Sequence, residues 1–471
     1  MLNIKGNAAK VFEFFERISE IPRPSGKTEK IADYLVGFAK ERGLEFYRDA
    51  ADNVIIKKPA TAGYEKRPTV IIQGHTDMVA EKTVDCPKDM DTEGLDLYLD
   101  GDLLRAKGTT LGGDDGVAVA YALALLDSTD IPHPALEALF TSDEEVGLIG
   151  AVALDGSQLS GRVMINVDSD VEGVFTVGCA GGLRSDLTLP VERGEKTDKY
   201  YRLTLTGLKG GHSGMEIDKG RANAIKQLLG AVGQLSELRL ISLVGGNADN
   251  AIPRDAEVCF TTSDSAEEIV GVISDCAARL TASETGASFE LAEISGETNP
   301  LTVESTETAV AMLCELPTGV IAMSEDIPGL VETSLNLGIV KLDESELHAS
   351  HSVRSAKGES KRLLTERLFK IGEKYGAKTG TRGEYPAWEY KADSHLREVM
   401  VSLYREKYGK DPEVLIIHAG LECGIFSEKL PGLDCVSIGP DNLDIHTPEE
   451  RLSVSSTERV WDFLLEVLRK I

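Results

Sequence analysis

Acidic and histidine side chains follow several short apolar runs of the sequence, at the point where each run ends. Four such groups are His75 with Asp77, Asp114 with Asp115, Glu144 with Glu145, and Asp168 with Asp170. His446, in a polar loop near the C-terminus, adds a second imidazole. Zinc-class cations bind nitrogen and oxygen ligands, and two ions about 3.5–4 Å apart need a bridging carboxylate. The residue types therefore indicate a site for two divalent ions, which would activate water for hydrolysis.

Each group on its own also has a structural explanation. For a single pair such as His75 and Asp77, solvation at a strand end is the commoner explanation. Asp114 or Asp115 would serve equally well as the cap of the apolar helix that follows, and solvent alone would stabilise the acidic loop around Glu144. Metal binding becomes the stronger hypothesis because four successive elements place such groups where the topology predicts one edge of one sheet.

The elements that must position these residues alternate between helices and strands. Helical spacing of apolar residues predicts two helices at the start of the chain and an Ala-rich helix at Val117–Leu126, with short buried strands between and after them. This order predicts an α/β domain with a mixed, largely parallel sheet. Open α/β sheets bind ligands at the carboxyl ends of their strands, where the acidic groups fall.

The pattern changes in the middle of the chain. Between Tyr201 and Ala292 the order strand, helix, strand, strand, helix, strand predicts a ferredoxin-like plait. A similar but less complete order follows as far as Tyr375, so we expect an inserted α+β domain with a doubled plait. The predicted domains are a first α/β segment at 1–187, the inserted domain at 188–383, and a second α/β segment at 384–471.

Composition disfavours several classes of partner. A chain of 471 residues exceeds the size of one hydrophobic core, which favours two domains. The net charge of −28 is spread along the chain and argues against nucleic acid and anionic membranes as partners. Seven scattered cysteines without a CxxC pair indicate reduced thiols, and neither a secretory pattern nor a run of about 20 apolar residues is visible. We expect a cytoplasmic protein.

The motifs resemble those of the co-catalytic zinc aminopeptidase and carboxypeptidase superfamily, and within it the aminoacyl-histidine (Xaa-His) dipeptidases, also called cytosolic non-specific dipeptidases. The resemblance extends over nearly the full length. Besides the acidic and histidine groups it rests on Ile21–Gly26, Gly108–Gly112, Gly178–Gly182, Gly210–Gly214, Asn250–Arg254, Thr333–Asn336 and His418–Gly424.

The resemblance implies a zinc-exopeptidase-like catalytic domain that binds two divalent ions. Zinc is the expected metal, and cobalt or manganese could replace it. The implied ligands are Asp114 as the bridge, His75 and Asp168 at one ion, and Glu145 and His446 at the other. Asp77 would orient His75, and Glu144 would be the general base. A cis peptide bond after Asp114 is implied as well.

The resemblance also makes the inserted segment a lid and dimerisation domain. It implies that His212 reaches the active site of the partner subunit in a homodimer and stabilises the tetrahedral intermediate. Arg354 would bind the C-terminal carboxylate of the substrate, with Asn250 and Gly420 as further substrate contacts. Taken without the family, His212 is better explained as a turn histidine and Arg354 as a surface strand cation.

The expected activity is hydrolysis of dipeptides, including Xaa-His dipeptides, with Glu144 moving the proton of the attacking water. Two other functions stay open on the sequence. One is an N-acyl-amino-acid deacylase or tripeptidase on the same metal core, and the other is a non-enzymatic metal-binding protein. The second of these is disfavoured by Glu144 beside Glu145, because metal storage needs ligands but no additional base.

Overall fold

The computed structural model describes residues 2, 4–197, 199–295, 298–325 and 327–471, and the chain divides into two compact units. The first unit comprises the chain up to Cys179, Tyr390–Ile416 and Leu421–Ile471, and the second comprises Ala180–Glu389 and Ile417–Gly420. The second unit begins before the predicted residue 188 and ends after the predicted residue 383. The reason is that its first strand starts at Gly181 and its last strand ends at Tyr385.

The helices and strands follow one another in three segments. The first segment contains α1 (Ala9–Ser19), α2 (Glu29–Glu41), β1 (Glu45–Arg48), β2 (Val54–Lys58), β3 (Val70–His75), β4 (Leu97–Asp100), β5 (Leu103–Ala106), α3 (Gly113–Asp127), β6 (Leu136–Thr141), α4 (Ile149–Ala153), β7 (Val163–Asn166) and β8 (Val174–Cys179). The middle segment contains β9 (Gly181–Pro190), β10 (Tyr200–Thr206), β11 (Gly211–His212), α5 (Ala224–Val232), β12 (Arg239–Gly245), β13 (Ala251–Ile252), β14 (Ala256–Thr261), α6 (Ala266–Leu280), β15 (Ser288–Ile294), α7 (Val303–Glu315), β16 (Gly319–Met323), β17 (Val331–Leu342), β18 (Glu346–Ser355), α8 (Gly358–Lys374) and β19 (Lys378–Tyr385). The last segment contains α9 (His395–Tyr408), β20 (Glu413–Ile417), α10 (Glu422–Lys429), β21 (Asp434–Ser437), β22 (Asn442–Leu443), β23 (Arg451–Ser453) and α11 (Val454–Lys470).

The first unit is built on an eight-stranded sheet in the order β1-β2-β6-β3-β7-β21-β8-β20. The four central strands, from β6 to β21, run parallel, whereas β1, β2 and β8 pair antiparallel with their neighbours. Every residue of β3 is buried, and so is each residue of α3 from Asp115 to Leu126. Central strands without an exposed face explain the continuous apolar runs of the sequence. The mixed α/β class is confirmed, with parallel pairing at the centre of the sheet.

The second unit has a nine-stranded sheet in the order β15-β10-β14-β12-β17-β18-β9-β19, with β16 paired to β17. The strands β10, β12, β14 and β15, numbered one to four, lie in the order four, one, three, two, which is the order of a ferredoxin-like plait. The strands β9, β17, β18 and β19 repeat that order. The sheet order thus supports the doubled plait, and it shows that the first plait interrupts the second between β9 and α7.

Two further observations concern the chain as a whole. Within the described residues, no helix combines the length and the apolar character needed to cross a membrane. All seven cysteines lie in the described part of the chain, and none forms a disulfide there. The Sγ atoms of Cys423 and Cys435 are 3.7 Å apart in the core of the first unit.

Candidate metal centre

The parallel strands of the first unit end side by side. His75 pairs in register with Thr141, the last residue of β6, and Gln73 pairs with Asn166, the last residue of β7. Asn166 in turn pairs with Ser437 at the end of β21. Because the strands are parallel, the segments that leave them emerge at one edge of the sheet. This edge carries the predicted acidic and histidine groups.

Asp114 lies between the two predicted imidazoles. Its Oδ1 is 2.9 Å from Nε2 of His75, and its Oδ2 is 3.2 Å from Nε2 of His446. Oε1 of Glu145 is 2.8 Å from the same Nε2. Asp168 Oδ1 is 3.8 Å from Nε2 of His75. The structure therefore brings all five predicted ligands together, and Asp114 contacts both imidazoles.

The donor atoms fit a pair of divalent cations. Ligand atoms of His75, Asp114 and Glu145 lie within 4.8 Å of one another, as do those of His75, Asp115 and Asp168. Burial raises the pKa of the Asp168 carboxyl well above its ordinary value, and the charge of Asp115 adds to this. Carboxylates crowded in this way are stabilised by bound cations.

The raised pKa of His446 also shows that this part of the site favours positive charge. Hydrogen bonds to Asp114 and Glu145 raise the pKa of His446 to about 10. Two carboxylates that hold a proton on an imidazole so strongly would also hold a metal ion in its place. The peptide bond between Asp114 and Asp115 is cis, as the resemblance implied.

Asp115 was not among the predicted ligands, although it is grouped with His75 and Asp168. Its Oδ2 accepts the backbone N–H of His75 at 3.1 Å, and the side chain is buried. Burial raises the pKa of Asp115 well above its ordinary value. This hydrogen bond holds the backbone at the end of β3 and does not involve the imidazole ring of His75.

Asp77 connects the histidine to the acidic loop. His75 Nδ1 lies 3.1 Å from the backbone oxygen of Asp77 and 3.3 Å from its Oδ1, which leaves Nε2 directed at the carboxylates. The Asp77 carboxylate also accepts the backbone N–H groups of Glu144 at 3.0 Å and Glu145 at 3.3 Å, and the hydroxyl of Ser25 at 2.8 Å. Asp77 thus orients the ring of His75 and holds the loop that carries both glutamates.

Glu144 lies in a buried environment with other carboxylates nearby. Burial raises the pKa of Glu144 well above its ordinary value; His75 opposes the shift, and Asp168 reinforces it. A raised pKa makes a carboxylate a stronger base. Glu145, the neighbour of Glu144 in sequence, contacts His446 instead.

Glu450 supports the loop that presents Asp114, and sequence reasoning missed it. Its buried carboxylate accepts four consecutive backbone N–H groups, from Leu111 at 2.7 Å, Gly112 at 2.9 Å, Gly113 at 2.8 Å and Asp114 at 3.3 Å. Glu450 follows the His446 loop within a run of ordinary polar residues, so no pattern marks it. Its effect is to fix the backbone from which the central carboxylate projects.

Arg23 and Glu422 are two further buried supports of the edge. Arg23 donates to the backbone oxygens of Thr76 at 3.0 Å, Asp77 at 3.1 Å and Gly112 at 2.6 Å. Only its place in the motif Ile21–Gly26 could have singled it out.

Glu422 lies beneath the ends of β3 and β6. Its Oε2 accepts hydrogen bonds from Gln73 Nε2 at 2.6 Å and from Thr141 Oγ1 at 2.7 Å. Burial raises the pKa of Glu422 to about 7. The residue belongs to the motif His418–Gly424, in which sequence reasoning assigned a role to Gly420 and none to Glu422.

His212 lies in the second unit and has a defined tautomer. Its Nδ1 accepts the backbone N–H groups of Gly214 at 3.2 Å and Met215 at 3.0 Å. Since Nδ1 is the acceptor, the ring proton of the neutral form is on Nε2, which can donate. Burial lowers the pKa of His212, and the charge of Arg354 lowers it further. The ring is therefore a neutral donor at pH 7.

His212 and Arg354 approach each other within one chain. A Cβ atom added at Gly214 would lie 3.0 Å from Cε1 of His212 and 3.2 Å from Nε of Arg354. Arg354 is buried in β18, not an exposed strand cation. On the same unit, Nε2 of His418 and the hydroxyl of Ser334 share a hydrogen bond of 2.7 Å.

The last two predicted substrate contacts are Asn250 and Gly420. The backbone oxygen of Asn250 accepts the N–H of Ser213 at 2.8 Å, and the Asn250 residue itself is exposed. Gly420 packs against an aromatic ring, because an added Cβ would lie 2.7 Å from Cε2 of Tyr385. Asn250 therefore contacts the segment that follows His212 through its backbone. Gly420 has no side chain, which leaves room for the ring of Tyr385.

The fold and the site together define a class. An α/β sheet whose carboxyl edge presents a carboxylate between two imidazoles, with a further buried glutamate beside them, is the arrangement of a hydrolase that uses two metal ions. Comparison with known proteins gives the family. Residues 71–470 match the model of peptidase family M20/M25/M40, and the chain belongs to this family.

Two relatives are similar over almost the whole chain. The cytosol non-specific dipeptidase of Escherichia coli K12 is 38% identical over 474 residues, which cover 98% of this chain and 97% of the relative. The crystal structure of aminoacylhistidine dipeptidase from Vibrio alginolyticus has a TM-score of 0.92 at 36% identity, covering 99% of this chain and 97% of that one. Aminopeptidase PepT from Bacillus cereus, with a TM-score of 0.59 at 16% identity over 98% of both chains, shares the fold.

Proposed function

We propose that the protein is a dipeptidase that works with two divalent metal ions and accepts Xaa-His dipeptides among its substrates. Zinc is the metal that we expect at both positions. The observation that carries the proposal is the position of Asp114, whose two oxygens face the imidazoles of His75 and His446. The names of the two similar proteins, a non-specific dipeptidase and an aminoacylhistidine dipeptidase, support the substrate class. The name of the first also supports a cytoplasmic location.

The proposed ligands divide into two sets around Asp114. His75 and Asp168 would hold one ion, and Glu145 and His446 the other. When bound, two such ions lower the pKa of a water molecule from 15.7 toward ~7 and polarise the carbonyl of the substrate. Glu450 keeps Asp114 between the two sets by fixing the backbone around it.

Glu144 would accept a proton from the attacking water and pass it to the amine that leaves. Burial raises the pKa of Glu144, which favours its uptake of a proton. Asp77 contributes by orienting His75 and by fixing the backbone of Glu144 through the 3.0 Å hydrogen bond.

The second unit would supply the groups that bind the substrate. Arg354 would bind its C-terminal carboxylate, since a guanidinium binds a carboxylate through two parallel hydrogen bonds. His212 would donate from Nε2 to the oxygen that becomes negative. Backbone N–H groups hold its Nδ1, so Nε2 is the nitrogen that carries the proton. Asn250 and Gly420 would shape the surroundings of these two residues.

The proximity of His212 to Arg354 supports supply of both groups by one subunit. The resemblance implies instead that the histidine comes from a partner. A single dipeptide cannot use an oxyanion donor and a carboxylate ligand from separate sites, and here a Cβ added at Gly214 would lie close to both side chains of the same chain. A homodimer through the second unit remains part of the proposal, to be tested by sedimentation, and mixed subunits would show which chain supplies the pair.

A substrate panel tests the proposed function. Xaa-His and other dipeptides should be cleaved faster than a tripeptide or an N-acetyl amino acid, and a chelator should abolish turnover until Zn²⁺, Co²⁺ or Mn²⁺ is added back. The whole-chain identity of 38% favours the dipeptidase over the tripeptidase and deacylase alternatives. Undiminished turnover in protein shown by elemental analysis to be free of metal would overturn the proposal. Faster cleavage of the N-acetyl amino acid would replace the dipeptidase with the deacylase.

A further inference from the structure

Arg354 belongs to a row of residues that crosses four strands of the second sheet. It pairs in register with Ser334 of β17 on one side and with Gly182 of β9 on the other. Gly182 pairs in turn with Tyr385 at the end of β19. Residues opposite one another in antiparallel strands direct their side chains to the same face. Arg354 and Tyr385 therefore share a face, and only a glycine separates them.

The missing side chain of Gly182 lets the two residues meet. Arg354 Nη1 donates to the hydroxyl oxygen of Tyr385 at 2.9 Å. A Cβ atom at Gly182 would lie 2.5 Å from that oxygen and 2.6 Å from Cζ of the ring, which is closer than atoms can approach. Gly420 leaves room on another side of the ring, where a Cβ would lie 2.7 Å from Cε2. Two motif glycines therefore make space for one tyrosine.

The backbone at the end of β19 is shaped to present this side chain. The register between β9 and β19 shifts between Arg382 and Tyr385, and Gly383 within the shift has a φ of 57°. A bulge of this kind turns the following side chain to a new direction, and glycine adopts the positive φ without strain. The buried Lys361 then donates from Nζ to the backbone oxygen of Tyr385 at 2.7 Å. The bulge and the lysine together hold Tyr385 against Arg354.

We propose that Tyr385 is a positioning residue, whose hydroxyl fixes the guanidinium plane of Arg354 so that its other N–H groups bind the carboxylate of the substrate. This rests on the proposed role of Arg354. Arg354 is 5% exposed, and its Nε has no hydrogen-bond partner among the residues that the structure describes. A guanidinium must keep one plane to bind both carboxylate oxygens, and a long side chain held at one nitrogen loses the rotation that would spoil this geometry.

The test compares a dipeptide with its C-terminal amide in the metal-loaded enzyme. Tyr385→Phe keeps the ring and removes only the hydroxyl. We expect kcat/KM for the free acid to fall by roughly 3- to 10-fold through KM, with kcat and the amide changed less than twofold. Tyr375→Phe is the matched control, because it removes a hydroxyl that binds Glu315 in the same unit. Gly182→Ala, which would push the hydroxyl away, should reproduce the loss without altering the tyrosine.

A double-mutant cycle separates positioning from general support of the fold. In an Arg354→Ala background, Tyr385→Phe should have no further effect on the preference for acid over amide. Equal losses on acid and amide, or a full additional loss without Arg354, would mean that Tyr385 acts otherwise, and the inference would fall. If Arg354→Ala itself leaves the preference intact, this inference and the role of Arg354 both fail, while dipeptide hydrolysis on the substrate panel still stands.

Discussion

His446 Nε2 and Glu145 Oε1 lie 2.8 Å apart, although 301 residues separate them in the sequence. Glu145 lies in the loop that follows β6 in the first segment of the chain, and His446 lies between β22 and β23 in the last segment. Both side chains belong to the first unit, which the middle segment interrupts. Whatever cation binds between them therefore joins the two parts of that unit.

Metal binding should accordingly stabilise the fold. A ligand that binds only the folded state adds about 2.7 kcal/mol at a concentration one hundred times its Kd. We expect calorimetry to show a lower Tm after chelation and recovery with Zn²⁺. His446→Asn should weaken the metal-dependent gain. An unchanged Tm in chelated protein whose metal content has been measured would contradict this.

Replacing the two adjacent glutamates should have different effects. Glu144→Gln should lower kcat by about 10²-fold or more and keep both ions, because it removes proton transfer. Glu145→Gln should lose metal, because it removes a proposed ligand beside His446. Metal content by elemental analysis, measured with kinetics on the same samples, distinguishes them. Equal metal loss in both variants would show that Glu144 is a ligand and not the base.

Arg354→Ala should remove the preference for a free carboxylate. Truncating one partner of a buried charge-assisted pair costs about 2–5 kcal/mol, and the cost should fall on the dipeptide and spare its C-terminal amide. Steady-state kinetics on both substrates measure the difference. A variant that still prefers the acid as strongly as the wild type would assign the carboxylate to another residue.

Mixed subunits can show which chain supplies His212. If the histidine acts within its own chain, exchange between His212→Ala and Glu144→Ala subunits restores no activity, because each chain keeps one defect. A mixture of wild type with Glu144→Ala serves as the control for the activity of mixed dimers that keep one intact metal centre. Recovered activity in verified mixed dimers would support the partner's histidine instead, as the family resemblance implied. Wild-type rates in His212→Ala alone would remove the residue from catalysis.

The buried His351 should make the stability of the second unit depend on pH. Burial lowers the pKa of His351 to about 3, and the charge of Lys226 adds to this. The unfolded chain then binds a proton near pH 6.5 that the folded chain refuses, so stability is complete above that pH and is lost as the pH falls toward 3. His351→Gln should flatten this loss by up to about 1.4 kcal/mol per pH unit, measured by urea unfolding. His348→Gln, on the same strand but partly exposed, is the control; equal slopes for both variants would contradict the assignment.

The ligands were predictable because local patterns place them. An apolar run followed by His75, or by Glu144 and Glu145, marks a buried strand and the loop beyond it, and parallel strands end at one edge. Glu450 could not be found in this way. Its four backbone partners lie more than 330 residues earlier, and nothing in its own neighbourhood distinguishes it from a solvated glutamate. Contacts of that kind exist only once the fold has formed.

The plait prediction shows the same division between local and distant information. Residues from Tyr201 to Ala292 contain every strand of the first plait in order, so the sequence was sufficient to predict that plait. The second plait has its first strand, β9, on the far side of the first plait, so its order looked incomplete. Tyr385 was missed for a related reason, since its importance depends on Gly182 and Arg354 meeting it across β9 and β18.

The interruption of the second plait also dictates an order of events during synthesis. β9 leaves the ribosome before the first plait, but β18 and β19, its neighbours in the sheet, follow only after that plait is complete. At 5–20 residues per second, β9 waits roughly 10–30 s for a partner. Its Leu183, Leu187 and Leu189 are buried in the finished protein, and the strand that carries them has no partner in the sheet until then. Ribosome stalling between β15 and β18 would therefore expose an unpaired apolar strand, and nascent chains of that length are the ones that should depend most on chaperones.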